Sequence, residues 1–174
     1  MKSTKAGNAL TNLIESEDLT NEQMALDLHV DPTLISKMRN NKRNMVSDFA
    51  TRSMDYADNE FYNMEVTREF TNGSTAPRVN GDGIDYENHL AVLLKTKDEM
   101  REALDTLNID LFLKRPELAS KDDLNGIDTF IKELKESTWW SQNLIATLSE
   151  SYQRSAKKLN DDVTRSWKAS EVIR

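Results

Sequence analysis

With 174 residues, 30% charged and 37% hydrophobic, the chain can hold one medium domain or two small ones, each with a modest core. No apolar run approaches the ~18 residues of a membrane span and the opening residues lack a signal peptide's apolar core, so a cytoplasmic location without membrane attachment is expected. The absence of cysteine excludes disulfides, thiolate metal sites and cysteine nucleophiles, and the net charge of −7 argues against a general nucleic-acid coat while leaving room for a local positive face.

Ala6, Leu10, Leu13 and Ile14 recur at helical spacing and predict a first helix ending near Asp18. Thr20 is a good N-cap for a second, with Gln23 three residues on as in a capping box and Met24, Ala25 and Leu28 on the inner face. A tight turn over His29, Val30 and Asp31 follows. Asp31 caps a third helix, Pro32 takes its first position, and Ile35 and Met38 face inward up to about Asn40. Val46, Phe49, Ala50 and Met54 predict a fourth helix, and Phe61, Met64 and Phe70 a fifth or a clasp.

Residues 71–83 hold three of the five glycines, Pro77 and several turn formers, and read as a flexible linker. Beyond it, Asp85 is placed to cap a helix whose seam is Tyr86, Leu90, Leu93, Met100, Leu104 and Leu107, interrupted by Lys97. Pro116 forces a turn. Ser120 and Asp123 form a capping-box pair for a long helix carrying Leu124, Ile127, Ile131, Leu134, Ile145, Leu148 and Tyr152. A last helix from about Asp161, through Val163, Trp167 and Val172, is either separate or continuous with it. Adjacent Trp139 and Trp140 point about 100° apart, so one belongs in the core and the other is free for a pocket or an interface. The expected class is all-α: a helix-turn-helix bundle over residues 1–70, the linker 71–83, and a helical oligomerisation or effector domain over 84–174.

Residues 19–43 resemble the helix-turn-helix of the lambda-repressor/Cro (XRE-type) family. The resemblance is carried by the apolar set Met24, Leu28, Val30, Ile35 and Met38, by Ala25 where two helices cross, and by the polar-basic exit Asn40 to Arg43. Two steeply crossed helices approach closely only where one offers a side chain no larger than alanine, and the apolar set then fixes the second helix so that it protrudes into a major groove. His29 stands where the family often has glycine, in a turn that needs an unusual backbone; histidine tolerates that region at a cost of ~1 kcal/mol.

The resemblance implies that Pro32, Thr33, Ser36 and Lys37 face base edges, and that Asn21, Asn40, Asn41, Lys42 and Arg43 hold phosphates. It further implies a sequence-selective regulator of transcription on double-stranded DNA, of the phage or mobile-element repressor kind, held as a homodimer by its C-terminal helices, where a protein partner could also dock. The alternative is an interaction protein, an antirepressor or an inhibitor of a host protein, that reuses the helix-turn-helix. Acids on the first two helices (Glu15, Glu17, Asp18, Glu22, Asp27) favour that second reading.

No enzyme is expected. The pairs Asp122-Asp123 and Asp161-Asp162 read as helix-start charges, and phosphate-cradling loops and nucleophile elbows are missing. The only histidines, His29 and His89, lack metal-ligand spacing, so neither metal nor cofactor is expected.

Overall fold

The computed structural model describes residues 2–174. Helix accounts for 67% of the residues against two short strands, which makes the class all-α. The elements are β1 (Ser3–Thr4), α1 (Gly7–Ser16), α2 (Asn21–Asp27), α3 (Pro32–Arg39), β2 (Met45–Val46), α4 (Ser47–Ala57), α5 (Glu60–Phe70), α6 (His89–Asp105), α7 (Asp110–Leu113), a 3-10 turn (Pro116–Leu118), α8 (Lys121–Ser151) and α9 (Ala156–Ala169). None of the described helices is long and apolar enough to cross a membrane.

The chain divides into two compact units. One takes the residues up to Arg78 together with Leu148–Arg174, and the other is Val79–Thr147. This differs from the expected grouping of 84–174 as a single domain, because α9 joins the first unit. Its start is basic where α4 ends acidic: the Lys157 amide donates to Asp58 Oδ1 at 2.6 Å and its ammonium reaches Asp55, while Asn160 Nδ2 lies 3.4 Å from Glu60 Oε1.

In the first unit, the apolar faces of α1 to α5 meet around Leu10, Leu13, Met24, Ile35, Tyr62 and Val66, all nearly or fully excluded from solvent. β1 and β2 pair antiparallel, with Ser3 opposite Val46 and Thr4 opposite Met45, and Met45 is buried in the core. Tyr62 is held there by a 2.7 Å hydrogen bond between its hydroxyl and that of Ser53, whose Oγ also donates to the Ala50 carbonyl.

Helix ends follow one pattern with little use of glycine. α1, α2, α3, α5, α8 and α9 are each followed by a left-handed residue, respectively Asp18, His29, Asn41, Asn72, Gln153 and Glu171, with φ between 48° and 57°. In each case the next amide bonds back to a carbonyl of the last turn, for example Leu19 N–H to Ile14, Val30 N–H to Ala25 and Lys42 N–H to Lys37. The unusual backbone expected at His29 is therefore present. The same device stops α1 at Ser16, two residues before the expected end.

The expected linker is tethered over its first part. The Arg68 guanidinium donates to the carbonyls of Gly73 and Thr75, Ala76 is fully buried, and Arg78 stacks its guanidinium 4.2 Å from the centre of the Phe61 ring. At Gly81 and Gly83 a Cβ would meet nothing within 4 Å.

The second unit is an antiparallel helical hairpin. Asn88, not Asp85, caps α6, accepting from the amides of Leu90 and Ala91. The expected Ser120–Asp123 box forms in both directions: the Asp123 amide donates to Ser120 Oγ at 3.2 Å and the Ser120 amide to Asp123 Oδ2 at 2.8 Å. Lys114 and Ser120 hold the Asp123 carboxyl down to about 2. Thr96 of α6 donates to the Trp140 carbonyl of α8 and Glu99 and Glu102 approach Glu133, while Leu111 and Phe112 of α7 pack on Gly126 and Phe130.

The expected seam of α6 does not face α8. Val92, Thr96, Glu99 and Ala103 are buried instead, and Leu90, Leu93, Met100, Leu104 and Leu107 are exposed. Likewise Leu124, Ile131, Leu134 and Ile145 of α8 are exposed. The periodicity was real, but each stripe lies on the outer side of its helix.

Candidate nucleic-acid interface

Local chemistry sets the α2–turn–α3 unit. The Gln23 amide donates to Thr20 Oγ1 at 3.0 Å, and the Thr33 amide to Asp31 Oδ1 at 2.7 Å. Bonding from the Thr33 hydroxyl and amide, aided slightly by the Lys37 charge, holds the Asp31 carboxyl below its ordinary value against some desolvation. Met24 and Ala25 of α2 and Ile35 and Met38 of α3 are buried, so α2 and α3 meet through a methyl-sized side chain and thioethers, as the sequence pattern requires.

The residues expected at base edges lie along one helix. Pro32, Thr33 and Lys37 are exposed and Ser36 is half-buried. Lys37, Lys42 and Arg43 are exposed and, among the described residues, none of them pairs with a carboxylate.

The asparagines are less free. Asn21 Oδ1 accepts from Arg39 Nη1 at 3.2 Å, and Arg39 in turn approaches Glu15 at 3.7 Å. Asn40 Nδ2 donates to the Ser36 carbonyl at 2.8 Å, capping its own helix. Asn41 Oδ1 accepts the Gly7 amide at 3.1 Å, satisfying a first-turn donor of α1. Gly7 is needed for that approach: a Cβ there would lie 2.4 Å from the Arg39 carbonyl oxygen and 2.7 Å from Asn41 Oδ1. Asn41 therefore has a structural task, and only its Nδ2 is left for a phosphate.

Two cations absent from the expected set join this region. The β1–β2 pairing and a Ser47 N–H bond to the Lys2 carbonyl bring exposed Lys2 and Lys5 beside the chain that follows Arg43. Strands of two residues, some forty positions apart, leave no alternation in the sequence from which this could be read. Arg39, also outside the expected set, is a positioning residue for Asn21.

Elsewhere, Glu99, Glu102 and Glu133 bring carboxylate oxygens within 4.8 Å of one another. Lys95 already pairs with Glu99 Oε1, so an ammonium supplies the nearest counter-charge. Trp140 turns its backbone to Thr96, with Lys95 5.9 Å from its ring; Trp139, also half-buried, has Lys135 at 5.9 Å. Compared with protein-family models, with curated proteins and with solved structures, the chain matches none.

Proposed function

We propose that the first unit reads double-stranded DNA in a sequence-selective way and regulates transcription, in the manner of a phage or mobile-element repressor. The observation that carries this reading is the face of α3: a helix capped at Asp31, with Thr33 and Lys37 exposed along one side and the unpaired cations Lys42 and Arg43 past its end. An N-terminal arm adds Lys2 and Lys5 to the same positive region. In this role Thr33, Ser36 and Lys37 meet base edges, with Pro32 at the helix start, while Lys42, Arg43, Asn40 and the Nδ2 groups of Asn21 and Asn41 meet phosphates. The work is binding, without a catalytic step.

A second reading is favoured by a different surface. Glu15, Glu17, Asp18, Glu22 and Asp27 are all exposed on or beside α1 and α2, and Leu26 stands 74% exposed among them. Exposed acids with an exposed leucine on the same helix suit a basic protein partner. Binding of the full chain to fragmented genomic DNA at two salt concentrations separates the two. A DNA reader retains a subset of fragments at the higher salt, whereas an interaction protein retains none at either.

A further inference from the structure

We propose that the outward apolar faces of α6 and α8 are covered by a second copy of this chain, so that two hairpins close a four-helix bundle. This rests on the second unit alone and is independent of the DNA reading.

The inward line of α6 is Val92, Thr96, Glu99 and Ala103. Each is followed immediately by a residue of the outward stripe: Leu93, Lys97, Met100 and Leu104. The same offset holds on α8. Asp123 is buried, Gly126 and Phe130 meet Leu111 and Phe112 of α7, Glu133 brings its carboxylate within 4.8 Å of those of Glu99 and Glu102 on α6, and Trp140 meets Thr96 of α6; the residues that follow are Leu124, Ile127, Ile131, Leu134 and Ser141. One residue is about 100° of helix rotation, in the same sense on both helices. Because the helices run antiparallel, equal rotation brings both stripes to the same side of the hairpin. The two stripes form one surface.

Its spacing is that of helices packing on helices. Leu90, Leu93, Lys97, Met100 and Leu104 alternate steps of three and four, and so do the α8 positions Leu124, Ile127, Ile131, Leu134, Thr138, Ser141 and Ile145. The buried residues of the hairpin include Thr96, Glu99, Asn143 and Thr147, so its interior is partly polar and leaves this surface uncovered. Exposures of 53% at Leu90, 69% at Leu104 and 50% at both Leu124 and Ile145 typify the stripe. Eight such apolar side chains, each roughly half exposed, offer on the order of 700 Å² per copy, close to the ~800 Å² that each side of a standard interface buries.

The polar positions choose the occupant. Lys97 on α6 and Thr138 and Ser141 on α8 interrupt the stripe at one level, fixed by the hydrogen bond from Thr96 Oγ1 to the Trp140 carbonyl. Apolar residues flank this belt on both sides. A two-fold axis through the belt lays it on its own copy and sets each apolar end against the other, which is the self-complementarity that a symmetric dimer requires. Polar residues at seam positions also fix register.

The test is sedimentation equilibrium on the full chain, with the seam variant Leu104→Glu/Ile131→Glu and the off-seam control Leu94→Glu, itself 51% exposed on α6. Circular dichroism confirms that each variant keeps the wild-type helix content; because the mutated side chains are exposed in the single chain, they should. The expected result is a wild-type dimer, at least a tenfold weaker dimer for the seam variant, and an unchanged dimer for the control. A wild-type monomer at about 100 μM overturns the proposal. So does a dimer that survives the seam variant, or one broken as readily by Leu94→Glu.

Discussion

The two units dispose of the same kind of residue in opposite ways. In the first, Leu10, Leu13, Met24 and Ile35 converge on one core and leave the cations of α3 and its exit outside. In the second, Leu90, Leu93, Met100 and Leu104 face outward while Thr96 and Glu99 occupy the space between helices. Helical periodicity tells which residues share a face; it does not tell where that face points. A stripe is satisfied within the chain only when enough other elements surround it, and a hairpin of two helices supplies one neighbour to each.

The sharpest way to break this contrast is to make one chemical change in both places. Leu10→Ala removes a side chain with no exposure and should cost about 2–5 kcal/mol in urea unfolding. Leu104→Ala, at 69% exposure, should cost less than ~0.5 kcal/mol when measured at dilution, below the assembly range. Equal losses would mean that both units bury their apolar residues alike.

A second contrast lies in titration. Burial pushes the Tyr62 hydroxyl up to about 12, against the opposing hydrogen bond with Ser53. The folded chain thus keeps a proton that the unfolded chain releases near pH 10. That stabilisation is complete below pH 10 and is lost as pH rises towards 12, with a slope of up to ~1.4 kcal/mol per pH unit. Tyr62→Phe should remove this part of the alkaline slope, and denaturant melts at pH 9 to 11.5 measure it. An unchanged slope would show that the hydroxyl is not held inside the core.

The second unit has its own titration, at the opposite end of the scale. Asp123, held at about 2 by Lys114 and Ser120, contributes above the ordinary carboxyl range, and that contribution is lost as pH falls from about 4 towards 2. Amide signals at the start of α8 should shift through this window, while Asp123→Asn should flatten the response. A carboxyl that titrates near 4 would show the capping box to be open.

How much of this was legible follows the range of each signal. The caps at Thr20, Asp31 and Ser120, and Pro32 at the start of α3, act within one helical turn, and all three caps bond as the sequence indicates. The turn at His29 was also readable, because a neighbouring pattern fixed its position. The ends of α1 and α3 were readable to within two residues, although Asp18 and Asn41, not glycine, take the left-handed backbone there. Long-range choices left no local trace. The bond from the Gly7 amide to Asn41, the approach of Lys2 and Lys5 to the chain after Arg43 through a strand pair of two residues each, and the tie of α9 to the first unit through Lys157 and two acids of the α4 end are all of this kind.

The DNA-reading assignment is tested most directly by comparing Lys37→Ala with Lys42→Ala on a randomised DNA pool, because each removes one exposed, unpaired positive charge. Lys37, one turn beyond Thr33 on α3, should cost ~1–3 kcal/mol on the preferred site and flatten base preference at one or two positions. Lys42, past the helix end, should weaken all sequences about equally and lower the salt slope by roughly one. If both substitutions leave binding unchanged at low salt, or if the unaltered chain retains no DNA, α3 is not a DNA-reading helix and the acidic face of α1 and α2 becomes the surface to pursue.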